Sequence, residues 1–482
     1  MKKFKYILLF LIAFIPSIFF FSGCANSNIV VYVTDIKPTE IVGATTTYTV
    51  YYSNGTQSMF TVENGKNGED GEDLTLESIK NYCVSNNIDF ETFLKEYLTI
   101  VDENESIQQA TAKAIQSAVS VWCEFPVSDY YSKDTSIACG AGVIYQMNTT
   151  YSYIITNYHV VYYSDCDTSN KIANKIHIFQ YGTSEYAYET GKNNQSGYPQ
   201  IAYGDGAVEA EFIGGALNYD IAVLKVSTQD LLKYNEHATA VTLANDYTLA
   251  ETAIAIGNPE TEGISVTSGI ISVESEEIIM TGADDVTQCQ FRVMRIDAAV
   301  NGGNSGGGLF NINGELIGIV NAKVVDSQID NIAYALPYDN ITKVADNLIY
   351  YYEQTNEIST VKKLMLNIEV YADNSRAIYN PTTNSTTLKE DIVVNSVSLN
   401  SSSSLGTGIG YMMNLQAGDK IKAISINGEV HNLTRMFELG DWLLAVRPGD
   451  KILIIVERNN IQQTLGLAED AGILESYLTE IR

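Results

Sequence analysis

Positive charge is scarce in this chain of 482 residues. Its 29 lysines and arginines stand against 58 aspartates and glutamates, a formal net charge of −29. Nucleic-acid recognition needs a basic face, so nucleic acid is excluded as a partner. The balance suits a solvated, exported protein that binds no phosphate polymer. Histidine is rarer still: His159, His177, His237 and His431 are the only four, so few positions can supply the usual general base. The six cysteines show no zinc-ligand spacing, and neither a metal nor another cofactor is expected. After the first 24 residues no apolar run reaches the length of a membrane span, so the remainder reads as a soluble segment.

A hydrophobic content of 45% is ordinary for a globular chain, and the length suggests two to four domains. The 32 tyrosines suit half-exposed β surfaces. Lys2, Lys3 and Lys5 precede an apolar run from Ile7 to Phe21, which has the make-up of a signal segment. It ends in Phe21-Ser22-Gly23-Cys24, which resembles a bacterial lipobox. That resemblance implies lipidation of Cys24 and attachment to the outer face of the cell membrane. A signal anchor that merely contains a cysteine is the alternative. Five cysteines then remain, an odd number. Of these, Cys139 and Cys166 flank the His159 segment and could approach each other, although spacing alone does not fix disulfide geometry.

The chemistry is concentrated in residues 297 to 310, Asp-Ala-Ala-Val-Asn-Gly-Gly-Asn-Ser-Gly-Gly-Gly-Leu-Phe, where Ser305 sits among five glycines. Glycine allows sharp turns and close approach of the backbone to a substrate. Two N–H groups aimed at one point make an oxyanion hole; here Gly303 and Ser305 are the candidate donors. A serine hydroxyl needs a base, usually a histidine held by a buried carboxylate. His159 ends the strand-like run Tyr-Ile-Ile-Thr-Asn-Tyr-His-Val-Val, and Asp220 directly precedes the apolar strand Ile-Ala-Val-Leu-Lys-Val. The catalytic order is therefore His159, Asp220, Ser305. A G-x-S-x-G elbow is the rival reading of 303–307. Three glycines after the serine make a poor helix start, and His431 is the only histidine downstream, so the elbow is rejected. His177 reads as a structural strand residue and His237 as a loop residue.

The segments TNYHVV, NYDIAVLKV and DAAVNGGNSGGGLFN resemble those of the HtrA/Deg family of trypsin-like serine proteases. GAGVI at 140–144, AIGNP at 255–259, SVTSGIIS at 265–272, GELIGIV at 314–320 and IAYALP at 332–337 agree in order, so the likeness covers roughly 118–350. The many short strands with turn signals suit two antiparallel β-barrels with the site between them. The resemblance implies acyl transfer by Ser305, His159 and Asp220. Ala299 stands where trypsin-like digestive enzymes carry the aspartate that receives Lys or Arg. No charge partner for a basic P1 side chain is visible, and burying a lysine without one is costly. A small or apolar P1 is therefore expected, with Ala299 and Asn321 assigned to the S1 region. Asn304 replaces the aspartate that pairs with a new amino terminus in zymogen-derived enzymes, which implies activation by loop ordering. The family often has proline at Gly302 and Gly308; glycine there loosens the loop.

Around this core the reading assigns 1–24 to the signal segment, 25–64 to a small β module and 65–73 to a flexible acidic linker of three G-x-y triplets, too few and too proline-poor for a triple helix. A helical spacer follows at 74–104, the protease domain at 105–354 and a second domain at 355–482. Within the protease domain, Ser106 to Ala118 reads as helical and the strands begin near Ser120. Much of 163–205 reads as an insertion lying on the surface, with a loop over the cleft as the alternative. Leu415-Gln-Ala-Gly-Asp-Lys-Ile, Ile424-Ser-Ile-Asn-Gly-Glu-Val and the run from Arg447 to Arg458 resemble a PDZ domain of the HtrA type. Such domains capture peptide C-termini as an added strand. Leu366, Asn367 and Ile368 lie at its expected carboxylate loop, with Asn367 in place of the usual glycine. The polar stretch 372–404 reads as a loop insertion.

The fold class expected is mainly β: two chymotrypsin-like barrels, a C-terminal PDZ-like α+β domain and a small N-terminal β module. The function expected is a membrane-anchored extracytoplasmic serine endopeptidase acting on misfolded or exposed polypeptides, with a homotrimer as the assembly the resemblance suggests. A non-enzymatic adhesin or holdase on a protease-like frame is the alternative, and cleavage of one partner selected by 163–205 is a third possibility.

Overall fold

A computed structural model describes residues 33–42, 45–52, 57–63, 84, 103–259, 262–321, 332–381, 385–399, 408–467 and 472–481. The signal segment, Cys24, the turn at Ser53-Asn54-Gly55, the G-x-y linker and nearly all of the 74–104 spacer lie outside these residues. No helix among the described residues is long and apolar enough to cross a membrane.

One unit is a three-stranded antiparallel sheet of β1 (Val33–Val42), β2 (Thr45–Tyr52) and β3 (Gln57–Glu63). Its threonine-, tyrosine- and valine-rich strands are good sheet formers.

The second unit begins with α1 (Glu103–Ala114), followed by a single 3-10 turn over Ile115–Ser117. Six strands then close a barrel: β4 (Ala118–Ser128), β5 (Lys133–Met147), β6 (Tyr151–Thr156), β7 (Lys175–Gln180), β10 (Val208–Ala216) and β11 (Ile221–Ser227). A short helix α2 (Tyr158–Val161) follows β6, and the hairpin β8 (Ala187–Asn193) and β9 (Pro199–Tyr203) lies between β7 and β10. After α3 (Thr228–Tyr234), a second set of six closes: β12 (Thr252–Gly257), β13 (Ser265–Thr281), β14 (Gln288–Ile296), β15 (Gly308–Phe310), β16 (Leu316–Val320) and β17 (Ala333–Pro337). Closure leaves no free sheet edge, which suits strands as apolar as β4, β6 and β16. Each barrel fills with its own inward side chains. Val121, Ile144, Ile154, Ile178 and Leu224 pack in the first, and Ile271, Met294, Leu309 and Ile317 in the second.

The segment 163–205 is only partly an excursion. Its Lys175–Gln180 portion is the strand that closes the first barrel against β4 and β10. The β8–β9 hairpin rests on β5, where Thr135 Oγ1 donates to Pro199 O (2.8 Å) and Lys133 Nζ to Ser196 O (2.8 Å). His177 lies in β7 with its ring 4.1 Å from that of Tyr203, and burial holds its pKa below the ordinary value. His237 is exposed, and its backbone N–H donates to Asn235 Oδ1 (3.0 Å) in a loop.

Helix α4 (Tyr338–Thr355) carries Ile341, Val344, Ala345, Leu348 and Tyr352 on one face. That spacing buries a helical stripe, here in the largest core cluster. Asn356 ends the helix in the left-handed region (φ 54°) and donates its N–H to Tyr352 O, the usual αL stop.

The remaining elements are β18 (Val361–Leu364), β19 (Ile368–Asn380), β20 (Ser385–Val397), α5 (Ile409–Met412), β21 (Lys420–Ile426), β22 (Glu429–Asn432), α6 (Met436–Ala445), β23 (Ile452–Arg458), β24 (Ile461–Gly466) and β25 (Leu478–Ile481). The main sheet runs β19-β20-β21-β23-β24, with β22 also on β21, and β18 pairs with β25. The expectation of a loop at 372–404 is therefore corrected. Most of that stretch forms the long strands β19 and β20. Residues 371–380 are exposed throughout, so polarity reflects two wetted faces and not the absence of a strand. His431 stacks on Trp442 at 3.5 Å between ring centres, a packing role.

A buried ion cluster joins the second barrel to α6. Arg292 of β14 donates to Asp339 (2.8 Å), to Tyr247 OH (2.7 Å) and to Asp441, and lies 3.8 Å over the Phe437 ring. Asp441 also accepts from Asn340 Nδ2. Burial pushes the Asp441 carboxyl up and Arg292 opposes it. Removing one partner leaves a buried charge uncompensated. Arg292→Met is expected to lose about 3–5 kcal/mol of stability in urea at neutral pH. With the arginine gone, Asp441 binds its proton more tightly folded than unfolded. Stability of the variant should then fall as pH rises from the ordinary carboxylate range, relative to wild type. A pH-independent difference between the two would contradict this.

Candidate functional site

The site grows from three turns that meet where the barrels touch. Strand β6 ends at Thr156, and Asn157, with an extended backbone, caps α2, so His159 sits in the first turn of a four-residue helix. Asp220 follows a 3-10 turn and adopts φ 50° and ψ 40°, the left-handed region, where aspartate is tolerated better than most residues. Its carbonyl holds that geometry by accepting from Tyr158 N (3.1 Å) and Asn157 Nδ2 (2.9 Å).

Asp220 is 4% exposed. Oδ1 accepts from the His159 backbone N–H (2.9 Å), and Oδ2 faces His159 Nδ1 at 2.7 Å. Oδ2 also accepts from Asn321 Nδ2 of the second barrel (2.9 Å). These donors fix the carboxylate, and the carboxylate keeps the proton on Nδ1, leaving Nε2 free to accept. Asn321, assigned to the S1 region from sequence, turns its amide toward Asp220.

The Ser305 turn is tied to the first barrel. Ala141 N donates to Ser305 O (2.8 Å), and Thr156 Oγ1 donates to Ala141 O (2.7 Å). A Cβ at Gly140 would lie 2.7 Å from Val160 and 3.0 Å from Ser305 O, and one at Gly306 would lie 2.2 Å from Ala141 O and 3.0 Å from Asn157 N. The absence of these carbons lets the His159 helix and the Ser305 turn close on the same strand. Ser305 is 6% exposed and makes no side-chain hydrogen bond to His159. Contacts of this kind tighten once substrate is bound.

Asn304 N donates to Asn301 O (3.1 Å), and Gly303 has φ 93° while Gly302 has no positive φ. A four-residue turn with φ > 0 only at its third residue is type II. Among the described residues, neither the Gly303 nor the Ser305 N–H donates to a protein group, so both remain available to an oxyanion. Asn304 is buried against Gly257, whose missing Cβ would lie 2.8 Å from Asn304 Cα. Ala299 is exposed, and its carbonyl accepts from Thr267 Oγ1 (2.8 Å).

At Gly302 a Cβ would meet nothing within 4 Å, and the second position of a type II turn favours proline. Gly302→Pro is expected to stabilise the ordered loop by about 0.4–1 kcal/mol, a factor of roughly 2–5 in its population. Initial rates on a peptide substrate would rise accordingly; a fall would show that the turn needs another conformation. Gly308 differs, since a Cβ there would lie 2.4 Å from the Phe310 ring.

Cys139 and Cys166 are free thiols, as are Cys123 and Cys289. Cys139 Sγ accepts from Asn258 Nδ2 (3.1 Å), while Cys166 Sγ meets Thr168 Oγ1 (3.1 Å). The sequence reading passed over Asn157, Asn258 and Glu185. Glu185 accepts from Ser120 Oγ (3.0 Å), Trp122 Nε1 (2.7 Å) and Asn258 Nδ2, and its burial raises its pKa.

In the C-terminal region, Asn367 has φ 57°, so asparagine supplies the left-handed residue where glycine was expected. Leu366 is buried and its carbonyl accepts from Gly410 N (2.7 Å). Leu366, Asn367 and Ile368 line a 400 Å³ cavity with α6 residues and Tyr219.

Residues 140–319 match the family described as Trypsin-like peptidase domain. That is the class to which paired six-stranded barrels and a histidine–aspartate pair at their junction correspond. Over 220 residues the chain is 30% identical to "Serine protease Do-like HtrA" of Bacillus subtilis (strain 168), covering 45% of this chain and 41% of that protein. It is 31% identical over 214 residues to "Serine protease Do-like HtrB" of the same organism, covering 43% and 38%. The chain thus spans less than half the length of these curated relatives. Among solved structures, "HtrA-type protease AlgW with decapeptide" aligns with a TM-score of 0.43 at 22% identity, over 74% of this chain and 96% of that one.

Proposed function

We propose that the protein is a serine endopeptidase of the HtrA type. The observation that carries the reading is the 2.7 Å contact between His159 Nδ1 and a buried Asp220 carboxylate, beside a serine turn with two unused N–H groups. His159 Nε2 takes the Ser305 proton as Oγ attacks the peptide carbonyl. The imidazolium is stabilised by Asp220, and the oxyanion by the N–H groups of Gly303 and Ser305. His159 then protonates the leaving amine, and water releases the acyl group by the same steps in reverse roles.

The substrates would be misfolded or exposed polypeptides with a small or apolar P1 residue, since Ala299 brings no charge to that position. The C-terminal region would act as a PDZ-like domain, taking peptide C-termini near Leu366, Asn367 and Ile368. Lipidated Cys24 would hold the protein on the outer face of the cell membrane, and a homotrimer is the assembly to look for. Casein cleavage by wild type and not by Ser305→Ala is the expected result. Equal cleavage by both would reject Ser305 as the nucleophile, and none by wild type would favour a binding protein on a protease-like frame.

A further inference from the structure

Resting on the endopeptidase reading, we infer that Glu185, carried by the segment between β7 and β8, is a positioning residue for the oxyanion turn and acts through Asn258. Glu185 leaves the first barrel just after the Gln180–Thr183 turn. Its carboxylate reaches the junction of the barrels and gathers donors from both sides: Ser120 and Trp122 from β4 of the first barrel, and Asn258 from the end of β12 in the second.

Asn258 is fully buried. Its Nδ2 is shared between Glu185 and Cys139 Sγ, and its Oδ1 accepts from Gly263 N (2.8 Å). Its side chain therefore has a single orientation available. Its backbone N–H, held in place by that side chain, donates to Gly303 O (3.3 Å). Gly303 is the residue whose φ of 93° makes the turn type II and whose own N–H is the proposed oxyanion donor. Gly302, with open space where a Cβ would stand, adds no side-chain packing to hold the Gly303 peptide. The Gly303 carbonyl is pinned through Asn258, and Glu185 is the group that pins Asn258. This gives the extra segment a role in ordering the site from a distance, distinct from selecting a partner.

Misplacement of catalytic groups by about 1 Å can cost on the order of 100-fold. Glu185→Ala is therefore expected to lower kcat on a peptide substrate roughly 10- to 100-fold, with KM within about twofold. Affinity for a peptide boronate, which needs the oxyanion hole, should fall in parallel with kcat/KM. Glu185→Gln should restore most of the loss, because its oxygen can still accept from Trp122 and Asn258 while its NH2 donates to Ser120 Oγ. Asn258→Ala should match Glu185→Ala, and the double variant should be no worse than either single one. Wild-type kcat in Glu185→Ala would overturn the inference, as would additive losses or a uniform loss that also raises KM. An inert wild type, with no fluorophosphonate label on Ser305, would instead reject the endopeptidase reading beneath it.

Discussion

Asp220→Asn is expected to lower kcat by about 10⁴-fold while leaving the fold intact. The cause lies in which donors can adjust. Asparagine must place its NH2 at one of the two carboxylate oxygen positions. At Oδ1 it would face the His159 backbone N–H, a donor that cannot turn. At Oδ2 it would face His159 Nδ1 and the Asn321 amide. The imidazole can change tautomer and the Asn321 amide can flip, so the NH2 goes there. Nδ1 then becomes an acceptor and the ring proton moves to Nε2, which can no longer take the Ser305 proton. Steady-state kinetics should show the loss in kcat, and urea denaturation should show little change. A loss below tenfold would mean that the carboxylate does not set the tautomer.

The second large effect is expected at Gly303. Its φ of 93° is open to glycine and strained for any residue with Cβ. Gly303→Ala should relax the turn toward type I, in which the peptide between residues 302 and 303 is turned over. The Gly303 N–H would then point away from the reacting carbonyl. Loss of one oxyanion donor costs about 10²- to 10³-fold in kcat, with KM little changed. Gly302→Ala is the matched control, since a Cβ there meets nothing within 4 Å. Similar losses in both variants would show that the loop as a whole, and not one N–H, had been disturbed.

The residues proposed to do the chemistry were legible because each sits in its own local pattern. His159 closes a β-branched run, Asp220 opens an apolar strand, and Ser305 lies among glycines that later prove to be close-contact and positive-φ positions. The supporting contacts were not legible. Glu185 meets Asn258 across 73 residues and Trp122 across 63, and no spacing in a linear sequence marks such a meeting. Asn321 was placed near the substrate from its position, yet a 2.9 Å hydrogen bond gives its amide to Asp220. Strand β19 was missed because alternation reveals a strand only when one face is buried, and β20 because its buried residues are the three consecutive ones Ile392, Val393 and Val394. In 163–205 the strand around His177 was legible, but the polar, tyrosine-rich surroundings hid that it closes the first barrel, with Ile176, Ile178 and Phe179 buried.

The most direct test of the account is covalent labelling of the wild-type protein with a fluorophosphonate, followed by mapping of the added mass. Modification of Ser305 alone is expected, with the rate falling sharply in His159→Ala and Asp220→Asn. An unmodified Ser305 in correctly folded wild type, or a rate indifferent to His159 and Asp220, would contradict it.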